Sequence, residues 1–267
     1  MQQNRIEPGT KVDLSKWDPN DTSAFKGNKA DAQPEIAKLI NKLDALQEML
    51  YAEHKHKVLI VLQAMDTAGK DGTIRHIFTG VNPSGVSVAS FKAPTPEELD
   101  HDYLWRIHNM VPGNGEMVIF NRSHYEDVLI VRVHALVPPK VWKARFKQIN
   151  AFEQYLAQNG VTILKFYLHV DLDEQKERLQ ARLDDPTKHW KFQLGDLDER
   201  NLWPAYMQAY ADVLSLTSTT WAPWYLIPAN HKWYRDLIIS RVLVQTLEDL
   251  KMKYPPDTEE LAGVMVE

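Results

Sequence analysis

Residues Ala64-Met65-Asp66-Thr67-Ala68-Gly69-Lys70-Asp71-Gly72 interrupt an apolar run, Val58 to Leu62, and a short helical pattern follows them. A Gly-Lys loop between a strand and a helix is built to hold an anion. Backbone N–H groups at the helix start point at the ligand, and the lysine adds a mobile positive charge. The stretch approximates G-x-x-x-x-G-K-[ST] with two departures. Ala64 stands at the first glycine and Asp71 at the hydroxyl position. In such loops that hydroxyl touches Mg²⁺, so another oxygen must replace it, and Asp66 inside the loop is the candidate. Ala68, Gly69, Lys70, Asp71, Gly72 and Thr73 form the expected phosphate-binding stretch. An ordinary strand-to-helix turn with a capping glycine is the competing reading.

A second segment, Met117 to Asp127, is a short apolar strand that ends in Asn121-Arg122 and runs on to Glu126 and Asp127. A strand ending in a carboxylate normally lies beside a phosphate loop and orients the metal. Here Asn121 offers only a neutral carbonyl oxygen, so Glu126 is expected to supply the displaced carboxylate. Arg122 suits bidentate contact with phosphate oxygens. Acids early in a helix also complement its dipole, which is the plainer account of Glu126 and Asp127. A third segment places Arg178 and Arg182 four residues apart, on one helical face. The chain then breaks at Pro186 and delivers Lys188, His189 and Lys191. As a lid, these cations would close over a transferring phosphoryl group and neutralise its charge. As a solvated basic face, they would do nothing.

These residues need a scaffold, and the hydrophobic pattern supplies one. Helical spacing of Ile36, Leu39, Ile40, Leu43, Leu46 and Leu50 predicts a helix from Pro34 to about Lys55. Strands are expected at 58–62, 86–91, 117–120, 161–170 and 224–227. Helices are expected at 96–110, around 125–130, and at 138–157, 173–183, 198–216 and 233–250. Alternating strands and helices imply a parallel five-stranded sheet covered on both faces, a three-layer α/β fold with its ligand at the carboxyl ends of the strands. Residues 1–30 read as an arm pinned by Trp17 and Phe25, 31–254 as the main domain with a lid at about 178–200, and 255–267 as a loose acidic tail.

The 267 residues, 44% hydrophobic, suffice for one large domain or two small ones. A net charge of −5 argues against a nucleic-acid partner. The absence of cysteine removes disulfides, thiolate metal sites and thiol catalysis. No apolar run approaches the ~18 residues of a membrane span, and the N-terminus lacks a signal core. A cytoplasmic protein without a membrane partner is expected.

Asp66-x-x-Gly69-Lys70-x-Gly72, then Phe120-Asn121-Arg122-Ser123-His124-Tyr125, then Arg178-x-x-x-Arg182 with Asp185-Pro186-x-Lys188-x-Trp190-Lys191, Asp196 and Arg200, closely resemble the family-2 polyphosphate kinases over roughly Ala30–Tyr254. The resemblance implies a P-loop kinase fold like that of thymidylate kinase, inorganic polyphosphate as phosphoryl donor, a nucleoside mono- or diphosphate as acceptor, and Mg²⁺. The family usually carries aspartate where this chain has Asn121. The subgroup with Asn there and Glu downstream is associated with both AMP and ADP, which implies AMP to ADP to ATP, with guanine nucleotides open. On this reading Asp66, Asn121 and Glu126 hold the metal. Lys70, Arg122, Arg178 and Arg182 stabilise the migrating group, Lys188 and Lys191 add phosphate contacts, and the chain forms a homo-dimer or tetramer. An ATP-dependent nucleotide or nucleoside kinase of the same fold, and a non-catalytic nucleotide-binding protein with a degenerate loop, remain the alternatives. Arg132, Lys140, Lys143, Arg145 and Lys147 could line a polyanion track or face water. Asn230 and Lys232, after the last strand, could contact base or ribose.

Overall fold

In the computed structural model, which describes residues 4–256 and Met265, the apolar runs inside the sheet become strands buried on both faces, while the stretch 86–90 at the sheet edge buries only Ala89. From Val58 to Ala64 every residue of the central strand is buried. In chain order the elements are β1 (Arg5–Ile6), α1 (Lys29–Glu53), β2 (Lys57–Ala64), α2 (Lys70–Ile77), β3 (Val86–Ser90), α3 (Pro96–Asp100), α4 (Trp105–His108) and β4 (Met117–Asn121). There follow α5 (Ile130–Val133), α6 (Pro139–Gln158), β5 (Val161–His169), α7 (Leu172–Leu183), α8 (Gly195–Asn201), α9 (Trp203–Thr217), β6 (Trp224–Pro228) and α10 (Lys232–Asp249). The sheet order is β1-β6-β5-β2-β4-β3, with β2 to β6 parallel. Alternation along β2 divides the core. Leu59 and Val61 join one apolar cluster, with Phe146 of α6 and Val213 of α9. Val58, Ile60 and Leu62 join the other, with Leu43 of α1 and Ile239 of α10. The result is the expected three layers.

The sheet has six strands, not five. β1 lies in the N-terminal arm and pairs antiparallel with β6, Arg5 opposite Tyr225 and Ile6 opposite Trp224. Asn4 Nδ2 donates to Leu226 O at 3.0 Å and Ser218 Oγ to Ile6 O at 2.5 Å, fixing that register. The arm continues over the carboxyl end of the sheet, where Asn230 N donates to Pro19 O at 3.2 Å and His169 Nε2 lies 3.2 Å from Trp17 O. Phe25 meets Trp233 edge-on. Most of the tail expected from Pro255 lies outside the described residues.

Four helix expectations change. The helix expected around 125–130 is a 3-10 helix over His124–Val128, separated from α5 by Leu129. α1 begins at Lys29, before Pro34, because Asn28 and Asp31 form a reciprocal capping box. The helix expected at 96–110 divides into α3 and α4, since Asp102 turns the chain by accepting from Leu104 N through its side chain and from Trp105 N through its backbone. The helix expected at 198–216 divides at Leu202, ahead of Trp203-Pro204, into α8 and α9. Among the described residues no helix is long and apolar enough to cross a membrane.

β2 is the topological switch point. From it the chain moves outward through β3 and back to β4, then crosses to β5 and β6 on the other side. The crevice this leaves lies at the carboxyl end of β2, where the phosphate loop begins.

Candidate active site

Beyond Ala64 the backbone turns through two positive φ angles, 66° at Thr67 and 109° at Gly69. Gly69 is required twice over. An L-residue is strained at that φ, and a Cβ there would lie 2.1 Å from Arg235 Nη1. Lys70, the first residue of α2, is buried, and its Nζ folds back to donate to Ala64 O at 2.9 Å. Burial pushes its pKa down, and Arg122 pushes the same way.

Arg122 leaves the end of β4 through another positive φ, 63°, which turns its side chain onto the loop. Nη2 meets Asp66 Oδ1 at 2.8 Å. Burial works against the Arg122 charge, but Glu126 and Asp66 outweigh it and hold the pKa above its ordinary value. Asn121 Nδ2 donates to Asp71 Oδ1 at 2.7 Å, so two of the three residues that depart from the usual motifs are partners. Behind them a buried network anchors the turn at 123–128. Lys165 Nζ donates to Glu153 Oε2 (2.6 Å), Tyr125 Oη (2.8 Å) and Thr217 O (2.7 Å), while Tyr125 Oη and His124 Nε2 meet Glu153 Oε1 at 2.7 and 3.1 Å.

Arg178 is the largest departure from sequence-based expectation. Its Nε donates to Glu174 Oε1, Nη1 to Thr67 O and Ala68 O, and Nη2 to Ala229 O and Asn230 O. A guanidinium has five N–H groups, and all five are committed to protein oxygens. Arg178 lines the pocket, but it acts on the loop: it ties the loop to the turn after β6. Nearby, Arg200 donates to Gln175 Oε1 at 3.0 Å, and Gln175 Nε2 donates to Asp66 O at 3.2 Å. The other half of the third motif stands across the opening. Arg182 Nη1 donates to Lys191 O at 3.0 Å, Lys188 pairs with Asp185 at 2.6 Å, and Lys191 Nζ lies 4.9 Å from the centre of the exposed Trp190 ring.

Together these elements enclose a cavity of about 890 Å³ lined by ten Lys or Arg side chains against three aspartates, Asp66, Asp71 and Asp196. Such concentration in a chain of net charge −5 marks a polyanion site. Asp66, Gly69, Lys70, Asp71, Gly72, Asn121, Arg122, Arg178, Arg182, Lys188 and Lys191 all line it. Ala68, Thr73 and Glu126 do not. Ala68 and Thr73 are buried beneath the loop, and Glu126 accepts from Gln63 Nε2 at 3.3 Å, set back from the lining. The residues at 132–147 lie elsewhere; Arg132 pairs with Asp212 and Arg145 with Asp127. Sequence reasoning missed Arg75, Lys92 and Arg235 as lining residues. Arg235 could have been noticed as the residue three beyond Lys232, one helical turn on.

Among the described residues no three His, Asp or Glu side chains converge to cage a metal. Mg²⁺ does not need such a cage, since it is commonly held by one or two carboxylates, substrate phosphates and water. Asp66, Asp71 and the free carbonyl end of Asn121 suit that role.

A profile of the family Polyphosphate kinase 2 (PPK2) matches residues 26–255. The chain is 58% identical over 259 residues to an AMP/ADP-polyphosphate phosphotransferase of Meiothermus ruber, covering 97% of each chain. It is 46% identical to an ADP-polyphosphate phosphotransferase of Rhodopseudomonas palustris, covering 96% of this chain and 92% of the relative. Polyphosphate Kinase 2 from Arthrobacter aurescens superposes with a TM-score of 0.93 at 44% identity, covering 96% of this chain and 92% of that one. With the fold, the loop and three motifs in agreement, the chain belongs to the polyphosphate kinase 2 family.

Proposed function

We propose that the protein transfers phosphoryl groups between inorganic polyphosphate and nucleoside mono- and diphosphates, carrying AMP to ADP and ADP to ATP. The observation that carries this reading is the ten-cation pocket built over a phosphate loop, in a family whose named relatives use polyphosphate with AMP and ADP. A nucleotide alone offers one to three phosphates to those cations, whereas a polyphosphate chain can engage them throughout.

The loop amides and Lys70 receive the donor's terminal phosphates. Arg122 and Arg182 face the migrating group, and Arg178 keeps the loop in the shape that makes those contacts. The acceptor phosphate oxygen is already ionised at neutral pH, so catalysis rests on positioning and on neutralising the charge of three equatorial oxygens. Asp66, Asp71 and the Asn121 carbonyl would hold Mg²⁺, with Glu126 in support from behind the lining, and the ion would supply further positive charge to the phosphates. The segment at about 178–200 acts as the lid that excludes water. The same reading takes adenine as the base and leaves guanine open, with a cytoplasmic location suited to a cysteine-free chain and a homo-oligomer formed through α1 or α6, where Tyr51 and Tyr155 are exposed.

The test is transfer from purified long-chain polyphosphate plus Mg²⁺ to AMP and to ADP, with ATP as competing donor. ADP and ATP should appear from AMP as polyphosphate is consumed. Efficient phosphorylation of AMP from ATP, without benefit from polyphosphate, would instead assign an ordinary nucleotide kinase.

A further inference from the structure

Arg235 stands out among the pocket cations because of what holds it. It is the fourth residue of α10, is only 3% exposed, and reaches over the phosphate loop from a helix whose chain position is remote from that loop. Asp236, also buried, takes two of its three nitrogens: Nε at 2.8 Å and Nη2 at 2.7 Å, both on Oδ1. The other oxygen, Oδ2, meets His76 Nδ1 at 2.9 Å. His76 lies in the last turn of α2, the helix the phosphate loop leads into, and its side chain is half-exposed.

The third nitrogen, Nη1, is turned to the loop. It lies 2.1 Å from where a Cβ on Gly69 would be, and Nη2 lies 3.9 Å from the same point on Gly72. The contrast with Arg178 is instructive. Both arginines touch the loop region, but Arg178 has no N–H left over, whereas the protein contacts of Arg235 leave both Nη1 hydrogens over the anion seat. A carboxylate that grips Nε and Nη2 fixes the plane of the guanidinium, and a histidine that grips the same carboxylate fixes the plane of the carboxylate.

We propose that His76 and Asp236 are a positioning dyad that aims Arg235 Nη1 at the donor polyphosphate on the loop, making Arg235 a donor-binding residue. This rests on the function proposed above. His76 touches no substrate and acts through Asp236 and Arg235. Because Arg235 meets the donor chain at the loop, the dyad governs donor affinity and leaves acceptor affinity alone.

The test uses the full-length protein, with calorimetric titration of polyphosphate alone beside steady-state kinetics. In His76→Ala the dissociation constant and KM for polyphosphate should rise about three- to tenfold, the worth of one charge-assisted hydrogen bond acting at one remove. KM for AMP and kcat should stay within about twofold, because an interaction shared by ground and transition states changes KM only. His76→Asn, whose Nδ2 can stand in for Nδ1, should restore polyphosphate affinity, which a merely structural histidine would not require. Truncating Arg235 alone would strand Asp236, so the second variant is Arg235→Gln with Asp236→Asn, which removes both charges and should weaken polyphosphate at least as much. Unchanged polyphosphate affinity in either variant, or an equal rise in KM for AMP, overturns the dyad. If the wild type binds polyphosphate but transfers nothing from it, the function fails while a weaker His76→Ala complex still supports the dyad. A wild type that does not bind polyphosphate overturns both.

Discussion

Replacing Arg178 with Met separates two jobs an arginine can do at a phosphate site. In the structure its Nη atoms serve the carbonyls of Thr67, Ala68, Ala229 and Asn230. Ala68 and Ala229 are fully buried, so water cannot replace the lost donors there. Glu174, by contrast, is partly exposed and can turn to solvent. A buried acceptor left without a partner costs about 1–3 kcal/mol, so the two buried carbonyls together lose about 2–6 kcal/mol. At roughly 2–4 °C per kcal/mol for a domain of this size, the melting temperature should fall by about 4–24 °C. Arg178→Lys, with one nitrogen in place of a fork, should lie between. Thermal unfolding followed by circular dichroism measures the fall, and polyphosphate and AMP kinetics below the transition measure the site. An arginine that meets only the transition state would behave otherwise: stability intact, turnover lower by about 10³ or more. An R178M protein that melts within a degree or so of wild type while losing turnover on that scale would refute the clamp.

Asn121→Asp would set a carboxylate oxygen where the amide nitrogen now sits 2.7 Å from Asp71, so the variant should lose about 1–3 kcal/mol without Mg²⁺ and regain much of it with Mg²⁺, as read by paired melting curves. Gly69→Ala combines an unfavourable φ with displacement of Arg235; KM for polyphosphate should rise about tenfold alongside a stability loss of about 1–3 kcal/mol, and normal values for both would count against the close approach. Glu153→Gln leaves the Lys165 ammonium buried without its counter-charge and should cost about 3–5 kcal/mol in urea unfolding, with Glu153→Gln/Lys165→Met recovering most of it. Burial alone would raise the Glu153 carboxyl, but Lys165 and His124 outweigh it and hold the pKa below its ordinary 4.5. Its stabilisation is therefore present above that value and lost as pH falls through the lower folded value, so wild-type urea midpoints should drop more steeply than those of the Gln variant below about pH 4.5.

What could be read from the chain was what repeats or clusters locally. Four buried strands announce themselves as apolar runs, β3 reads as a strand from its alternating valines, and Asp66, Lys70, Asn121 and Arg122 lie beside strand ends where parallel sheets bind ligands. β1 could not be read this way. Two residues carry no period, and their pairing is set by Leu226 and Ser218, more than 200 positions away. The break at Asp102 comes from a side-chain turn that helical spacing does not register. Arg178 was placed correctly on its helix face, but its partners are backbone oxygens, which every residue carries and no pattern marks. Arg235 escaped notice because it joins the site through the packing of α10 against α2 rather than through a motif.

The N-terminal arm has a consequence for the order in which the molecule is made. Its hydrogen bonds reach Ser215, Ser218, Leu226 and Asn230, so they close loops of about 200 residues. Closing so long a loop carries an entropic cost with no return until β5 and β6 are already formed. The arm thus leaves the ribosome long before the strand it pairs with and is among the last segments to find its place, so the edge of β6 stays open until it docks. Pulse-labelled hydrogen exchange should show the amides of β1 gaining protection after those of β2 and β5; simultaneous protection would contradict this order.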